Sequence, residues 1–299
     1  MITYRTISVD GTNVFYREGG DGAAPALLLL HGFPSSSAQY QSLMERLEAR
    51  FHVIAPDYPG FGQSPALQGT TTFDRLADAI DGFTHAIGLE RFSLYMFDFG
   101  SPVGLRVATR HPERVQALVL QNANAYEEGL GASMQALKPY WDDRATNEAA
   151  IRGFLQLDAT RSQYLDGVAD TSTVNPDLWE LDQRYLELPG RDQVMLDLLY
   201  DYQNNVKLYP RWQEYLRTNR PPVLLAWGER DQFFPPDGAR AYLRDLPEAE
   251  LHFLETGHFA TATHNEELAE LIADFLSRRV TDNKSMRGNE RVHLAPRAG

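Results

Sequence analysis

Apolar positions recur at every second residue in the first stretch of the chain: Ile7 and Val9, then, beyond the Asp10-Gly11 turn, Val14 and Tyr16. That alternation predicts a β-hairpin. A Gly-rich loop follows at 19–22, and residues 26–30 are apolar without alternation, as in a strand covered on both faces. The run stops at His31-Gly32-Phe33-Pro34, after which Ser36 or Ser37 can cap a helix with Leu43, Met44 and Leu47 on its apolar stripe. Strand 51–55 leads into Asp57-Tyr58-Pro59-Gly60-Phe61-Gly62-Gln63-Ser64, and helix 74–87, strand 92–97, helix 102–110 and strand 115–121 continue the rhythm. Strands that alternate with helices pair in parallel through crossovers. The fold class is therefore α/β, a mostly parallel sheet with helices on both faces.

After Ala123 the period changes. Residues 126–215 carry helical spacing with scattered tyrosines and tryptophans and little strand pattern, which reads as a helical cap inserted into the sheet. Strand 222–227, helix 237–246, strand 250–254 and an amphipathic helix at 265–276 then resume the core. From 281 onward the chain is polar and aperiodic, with Lys284, Arg287, Arg291 and Arg297, so a mobile tail is expected at 281–299. Core segments 1–125 and 216–280 thus flank the cap, with no internal repeat and no low-complexity tract.

Composition narrows the function classes. Hydrophobic residues make up 43% of the 299 and charged residues 23%, enough for a large core. Lys plus Arg 28 against Asp plus Glu 41 leaves a net charge of −13, which argues against nucleic acid or an anionic membrane as a partner. With cysteine at 0 there is no disulfide, no thiolate metal site and no cysteine nucleophile. The N-terminal stretch lacks the basic-then-apolar build of a signal peptide, and the longest aliphatic run, 26–30, is too short to span a bilayer, so a cytoplasmic protein is expected.

The chemistry concentrates at residues 94–104, where an apolar strand runs without a spacer into a helix. A side chain on such a turn is thrust above the sheet, beside a helix N-terminus that favours an anion. That side chain is Asp98. Gly100 supplies the small residue that the tight turn needs, whereas Met96 stands where a glycine is usual. An aspartate before a helix can also be a simple N-cap, so its companions decide. After strand 26–30, the backbone N–H of Phe33 can pair with that of Phe99 as an oxyanion hole. Asp231 ends another strand in Trp227-Gly228-Glu229-Arg230-Asp231, and His258 follows the next in Glu255-Thr256-Gly257-His258-Phe259. The order Asp98, Asp231, His258 is nucleophile, acid, base. His52, His85, His111, His252, His264 and His293 read as ordinary residues. Ser64 imitates a serine elbow but lacks the strand behind it, Asp57 reads as the organiser of its own turn, and Asn122 is an amide that cannot carry the acid's charge.

In the order in which these motifs occur, residues 1–278 resemble the α/β-hydrolase superfamily, and within it the branch of epoxide hydrolases and haloalkane dehalogenases. The resemblance implies an eight-stranded sheet, an alkyl ester formed on Asp98 and hydrolysed by water that His258 activates, a small apolar organic substrate, and no cofactor or metal. Epoxide opening in that branch relies on cap tyrosines. Tyr202, in a Tyr-x-Asn segment, is the first candidate, with Tyr140 or Tyr164 as its partner. Dehalogenases of the branch use N–H donors such as a Trp after the nucleophile, where this chain has Phe99, and an Asn in the turn that here holds Phe33. Trp141 or Trp179 could replace them, and an Arg that would hold fluoroacetate is absent after Asp98. Epoxide hydrolysis is the first reading, carbon–halogen hydrolysis the alternative, and a non-catalytic small-molecule binder the third, with monomer and homodimer both open.

Overall fold

The computed structural model describes residues 1–281, and the tail expected at 281–299 lies outside them apart from the backbone of Thr281. Eight strands form one sheet: β1 (Thr3–Val9), β2 (Thr12–Gly19), β3 (Ala26–Leu30), β4 (His52–Pro56), β5 (Phe92–Phe97), β6 (Val115–Gln121), β7 (Val223–Gly228) and β8 (Glu250–Leu254). Their spatial order is β1-β2-β4-β3-β5-β6-β7-β8. The N-terminal hairpin pairs antiparallel with itself and with β4, and every pairing from β4 to β8 is parallel.

Every residue of β3, β5 and β7 is buried, which is why their sequences run apolar without alternation. Successive side chains still go to opposite faces. Leu28, Leu30, Leu94, Met96 and Leu120 join one apolar cluster, while Leu27, Leu29, Tyr95, Phe97 and Val119 join a second. Helices α2 (Phe73–Ala86) and α3 (Gly100–Arg110) cover the first cluster. On the other face lie α1 (Gln41–Leu47) and, near the C-terminus, an amphipathic helix at Asn265–Leu276. Ser36 does cap the first of these turns, accepting from the Ala38 N–H, but the turn is a short 3-10 segment, Ser37–Tyr40, that feeds α1.

The helical insertion occupies 132–219. It comprises α4 (Ala132–Gln135), α5 (Lys138–Asp142), α6 (Arg144–Ile151), α7 (Leu157–Leu165), α8 (Asp177–Leu186) and α9 (Arg191–Asn219). The last is 29 residues long and stops where Arg220 turns into the left-handed region at φ 43. Then come α10 (Pro236–Asp245), α11 (Ala260–Thr263) and α12, the helix at Asn265–Leu276. Parallel strands deliver their C-terminal ends to one edge of the sheet, so the turns after β3, β5, β7 and β8 meet there. Among the described residues no helix is long and apolar enough to cross a membrane.

Candidate active site

Asp98 sits between β5 and α3 with φ 49, a left-handed conformation that a non-glycine residue holds only when its surroundings impose it. Two glycines make room. A methyl on Gly100 would collide with the Leu30 carbonyl, and one on Gly32 would collide with the Asp98 carboxylate itself. The Met96 departure is absorbed from the helix side: Gly104 has no Cβ, and the Met96 thioether fills that space. Asp98 is not the N-cap of α3, a place taken by Phe99. Its Oδ1 accepts from the Phe33 N–H at 2.5 Å, and the Phe99 N–H also donates to the carboxylate. The two expected amides therefore converge on one group.

His258 lies 3.9 Å through Nε2 from Asp98 Oδ2, and 2.7 Å through Nδ1 from Asp231 Oδ2. Because an ionised carboxylate only accepts, the Nδ1 proton faces Asp231, and in the neutral ring the lone pair is then on Nε2, the nitrogen nearer Asp98. Asp231 is held in turn by the Phe233 N–H on Oδ1 at 2.7 Å and by Asn122 Nδ2 on Oδ2 at 2.7 Å. Phenyl rings of Phe97, Phe233, Phe234 and Phe259 surround the imidazole, with centroids 4.6 to 5.9 Å away. They keep the pair in a dry, low-dielectric setting.

Burial pushes the Asp98 carboxyl up to about 6, against the lowering effect of His258 and of the Phe33 and Phe99 amides. Burial disfavours the His258 cation, but contact with Asp231 and the charge of Asp98 outweigh it, so its pKa rises. A carboxylate attacks only when ionised, so any ester formation on Asp98, followed in a single turnover, should decline as pH falls through about 6. An acid limb at the ordinary aspartate value, near about 4, would refute the burial argument.

The five candidate cap residues separate. Tyr202, on α9, is buried with its ring against Phe73, Phe99 and Trp141, and its hydroxyl is 3.5 Å from that of Tyr209. Burial, Tyr209 and the Asp98 charge all raise its pKa. Tyr140 shares that side of the sheet, yet its single proton goes to the Leu196 carbonyl at 3.1 Å. Tyr164 belongs to the opposite cluster, stacked on Phe259, and donates to Asp182 at 2.5 Å. Both hydroxyls already donate, one to a backbone carbonyl and one to a carboxylate. Trp141 likewise spends its N–H on the Leu199 carbonyl at 2.9 Å, and Trp179 packs beside Tyr164.

Residues 25–264 match the family model described as the alpha/beta hydrolase fold. The chain belongs to the α/β-hydrolase family. An uncharacterized hydrolase of Saccharomyces cerevisiae, YNR064C, is 40% identical over 269 residues, covering 88% of this chain and 93% of its own. A 2-hydroxy-6-oxononadienedioate/2-hydroxy-6-oxononatrienedioate hydrolase of Burkholderia vietnamiensis is 27% identical, covering 92% of this chain and 95% of its own. Among solved structures, haloalkane dehalogenase DbeA of Bradyrhizobium elkani superposes with a TM-score of 0.77 at 22% identity, covering 94% of this chain and 100% of the other.

Several residues of this α/β-hydrolase do structural work near the site. Ser64 accepts from the Phe15 N–H at 2.9 Å and donates to the Asp57 carbonyl at 2.8 Å, so it is tied into its loop. Asp57 accepts from the N–H groups of Ser37 and Gln63 at 2.7 and 2.8 Å, organising the turn as expected. His31 is fully buried, and burial takes its pKa down to about 3, which keeps it a neutral acceptor for the Tyr58 N–H. Two site residues escaped the sequence reading. Tyr209 was visible as the position two turns after Tyr202 on one helix face. Asn122 was weighed only as a possible acid, although an amide beside a carboxylate is a natural donor.

Proposed function

We propose that the chain is a hydrolase that works through an alkyl ester on Asp98, with an epoxide as its electrophile. The observation that carries the covalent route is the division of labour within one carboxylate: Oδ1 rests against the Phe33 amide while Oδ2 faces His258. Oδ2 attacks a saturated carbon in line, the carbon–oxygen bond of the epoxide breaks, and the alkoxide takes a proton from Tyr202. Oδ1 is then the ester carbonyl, already in its hole. Water gives a proton to His258 Nε2 and adds to that carbonyl, the two amides hold the oxyanion, and collapse expels the second alkoxide, which takes the proton from His258 to complete the diol, while the proton left on the Asp98 carboxyl returns to the Tyr202 phenolate and restores the carboxylate. Asp231 stabilises the imidazolium. The substrate is small and apolar, in keeping with the phenyl lining, and the sequence needs no cofactor.

The epoxide assignment rests on the kind of donor available. Tyr202 offers a hydroxyl beside Phe99 that is paired with the Tyr209 hydroxyl at 3.5 Å, a long bond that an incoming oxygen can displace, whereas the side chains of Phe33 and Phe99 have no N–H for a halide and that of Trp141 is occupied. Carbon–halogen hydrolysis is the second reading, and the comparisons favour it, because the solved relatives include named haloalkane dehalogenases.

Parallel incubation with styrene oxide and a bromoalkane, reading diol and bromide, decides between them. Loss of a hydrogen bond to a developing alkoxide costs about 1.5–3 kcal/mol. Tyr202→Phe should thus slow styrene oxide turnover roughly ten- to a hundredfold and leave any bromide release alone. Faster bromide release than epoxide opening by the unmodified protein would replace the epoxide reading. No product from either compound would return the chain to the small-molecule binders.

A further inference from the structure

Arg106 lies in α3, the helix that begins at the Asp98 elbow, and is only 4% exposed. A buried guanidinium is costly unless its N–H edges are met. Here Nε donates to Asp74 Oδ1 at 2.5 Å, and Nη1 donates to the Pro102 carbonyl at 3.0 Å and to Asn205 Oδ1 at 2.7 Å. The same group lies 5.7 Å from the Phe73 ring centroid and 5.5 Å from that of Trp212. Three helices meet on it: α2 through Phe73 and Asp74, α3, and α9 through Asn205 and Trp212. Asn205 is fully buried and its Nδ2 has no partner, so the amide is oriented through its bond from Arg106.

One helical turn before Asn205 is Tyr202, whose ring packs on Phe73 and Phe99. We propose that Arg106 is a positioning residue, which fixes α9 over the elbow through Asn205 and so sets where the Tyr202 hydroxyl stands. Two further ties lie on the same stripe, spaced by four residues. Asp201 Oδ2 accepts from the Phe73 N–H at 2.8 Å, and Asp197 Oδ2 accepts from the Thr71 N–H at 3.1 Å. Asp197, Asp201 and Asn205 thus grip the core in succession, and Tyr202 is carried between the last two. Only an arginine suits the third grip, because a planar fork can reach acceptors on two helices while lying between two rings, and a lysine ammonium cannot. Misplacing a reacting group by about 1 Å can cost on the order of a hundredfold.

What Tyr202 does in this account rests on the epoxide reading, so the test separates the two. Styrene oxide kinetics would be measured for Asn205→Ala and Arg106→Lys, each alone and combined with Tyr202→Phe, with thermal melts as the check on folding. Alone, each should lower kcat about tenfold with KM within about twofold, and each effect should vanish beside Tyr202→Phe, where there is no hydroxyl left to misplace. Asn205→Asp keeps the acceptor for Arg106 and should stay within about threefold of the unmodified protein. Equal losses in both backgrounds would overturn the positioning role and leave the epoxide reading standing. Should Tyr202→Phe alone leave turnover unchanged, that reading and the positioning role fall together.

Discussion

His258→Gln is expected to stop turnover while the protein keeps one substrate-derived group on Asp98. In the proposed route the first step asks no proton transfer of the imidazole, because Asp98 Oδ2 attacks and the Phe33 amide already braces Oδ1. The second step needs a base 3.9 Å away at Nε2, and glutamine has none to offer. Loss of such a group costs on the order of 10⁴-fold or more in turnover. Intact mass should rise by the mass of one substrate, and peptide mapping should put the increment on the segment containing Asp98. An adduct on Ser64 or Ser101, or none with a compound that the unmodified protein consumes, would remove Asp98 from its role.

Asp231→Asn should be nearly as damaging, with the fold intact. In the native protein both oxygens accept: Oδ1 from Phe233, Oδ2 from Asn122 and from His258. An asparagine must turn its NH2 toward one of those donors, so one bond becomes a donor–donor contact whichever way the amide lies. Beyond that, the imidazolium formed during ester hydrolysis loses its counter-charge in a site lined by phenyl rings. Together these losses should reduce turnover by about 10⁴-fold, the scale of the corresponding change in serine proteases. Thermal denaturation would show whether the variant folds. A folded variant with unchanged kcat would move the acid to another carboxylate.

The frame of the molecule was legible because it depends on local pattern. Residues 26–30 read as a doubly covered strand and are one, and the strand at Glu250–Leu254 and the helix at Asn265–Leu276 begin and end where periodicity placed them. The elbow was legible for the same reason: a strand that runs into a helix leaves one residue in between, and it is Asp98. The cap was different. Tyr140 and Tyr164 have the right residue type in the right region, but their hydroxyls are bonded to the Leu196 carbonyl and the Asp182 carboxylate, partners on other helices. Such partners follow from how helices pack, and no periodicity records it. Arg106 was invisible as well, since its neighbours lie 32 and 99 positions away.

The insertion leaves the sheet after β6 and returns at β7, and these two strands are hydrogen-bonded neighbours, with Leu118 to Leu120 opposite Val223 to Leu225. A parallel pair needs a crossover in any case, and doubling the length of a connection adds only about 0.6 kcal/mol of closure entropy. Residues 132–219 therefore behave as an exchangeable cassette. The sheet is expected to accept another helical segment in their place, provided the newcomer rebuilds the three anchors made by Asp197, Asp201 and Asn205. Asp98, Asp231 and His258 stand on turns of the sheet while Tyr202 belongs to the insertion, so the two sets of residues can change independently.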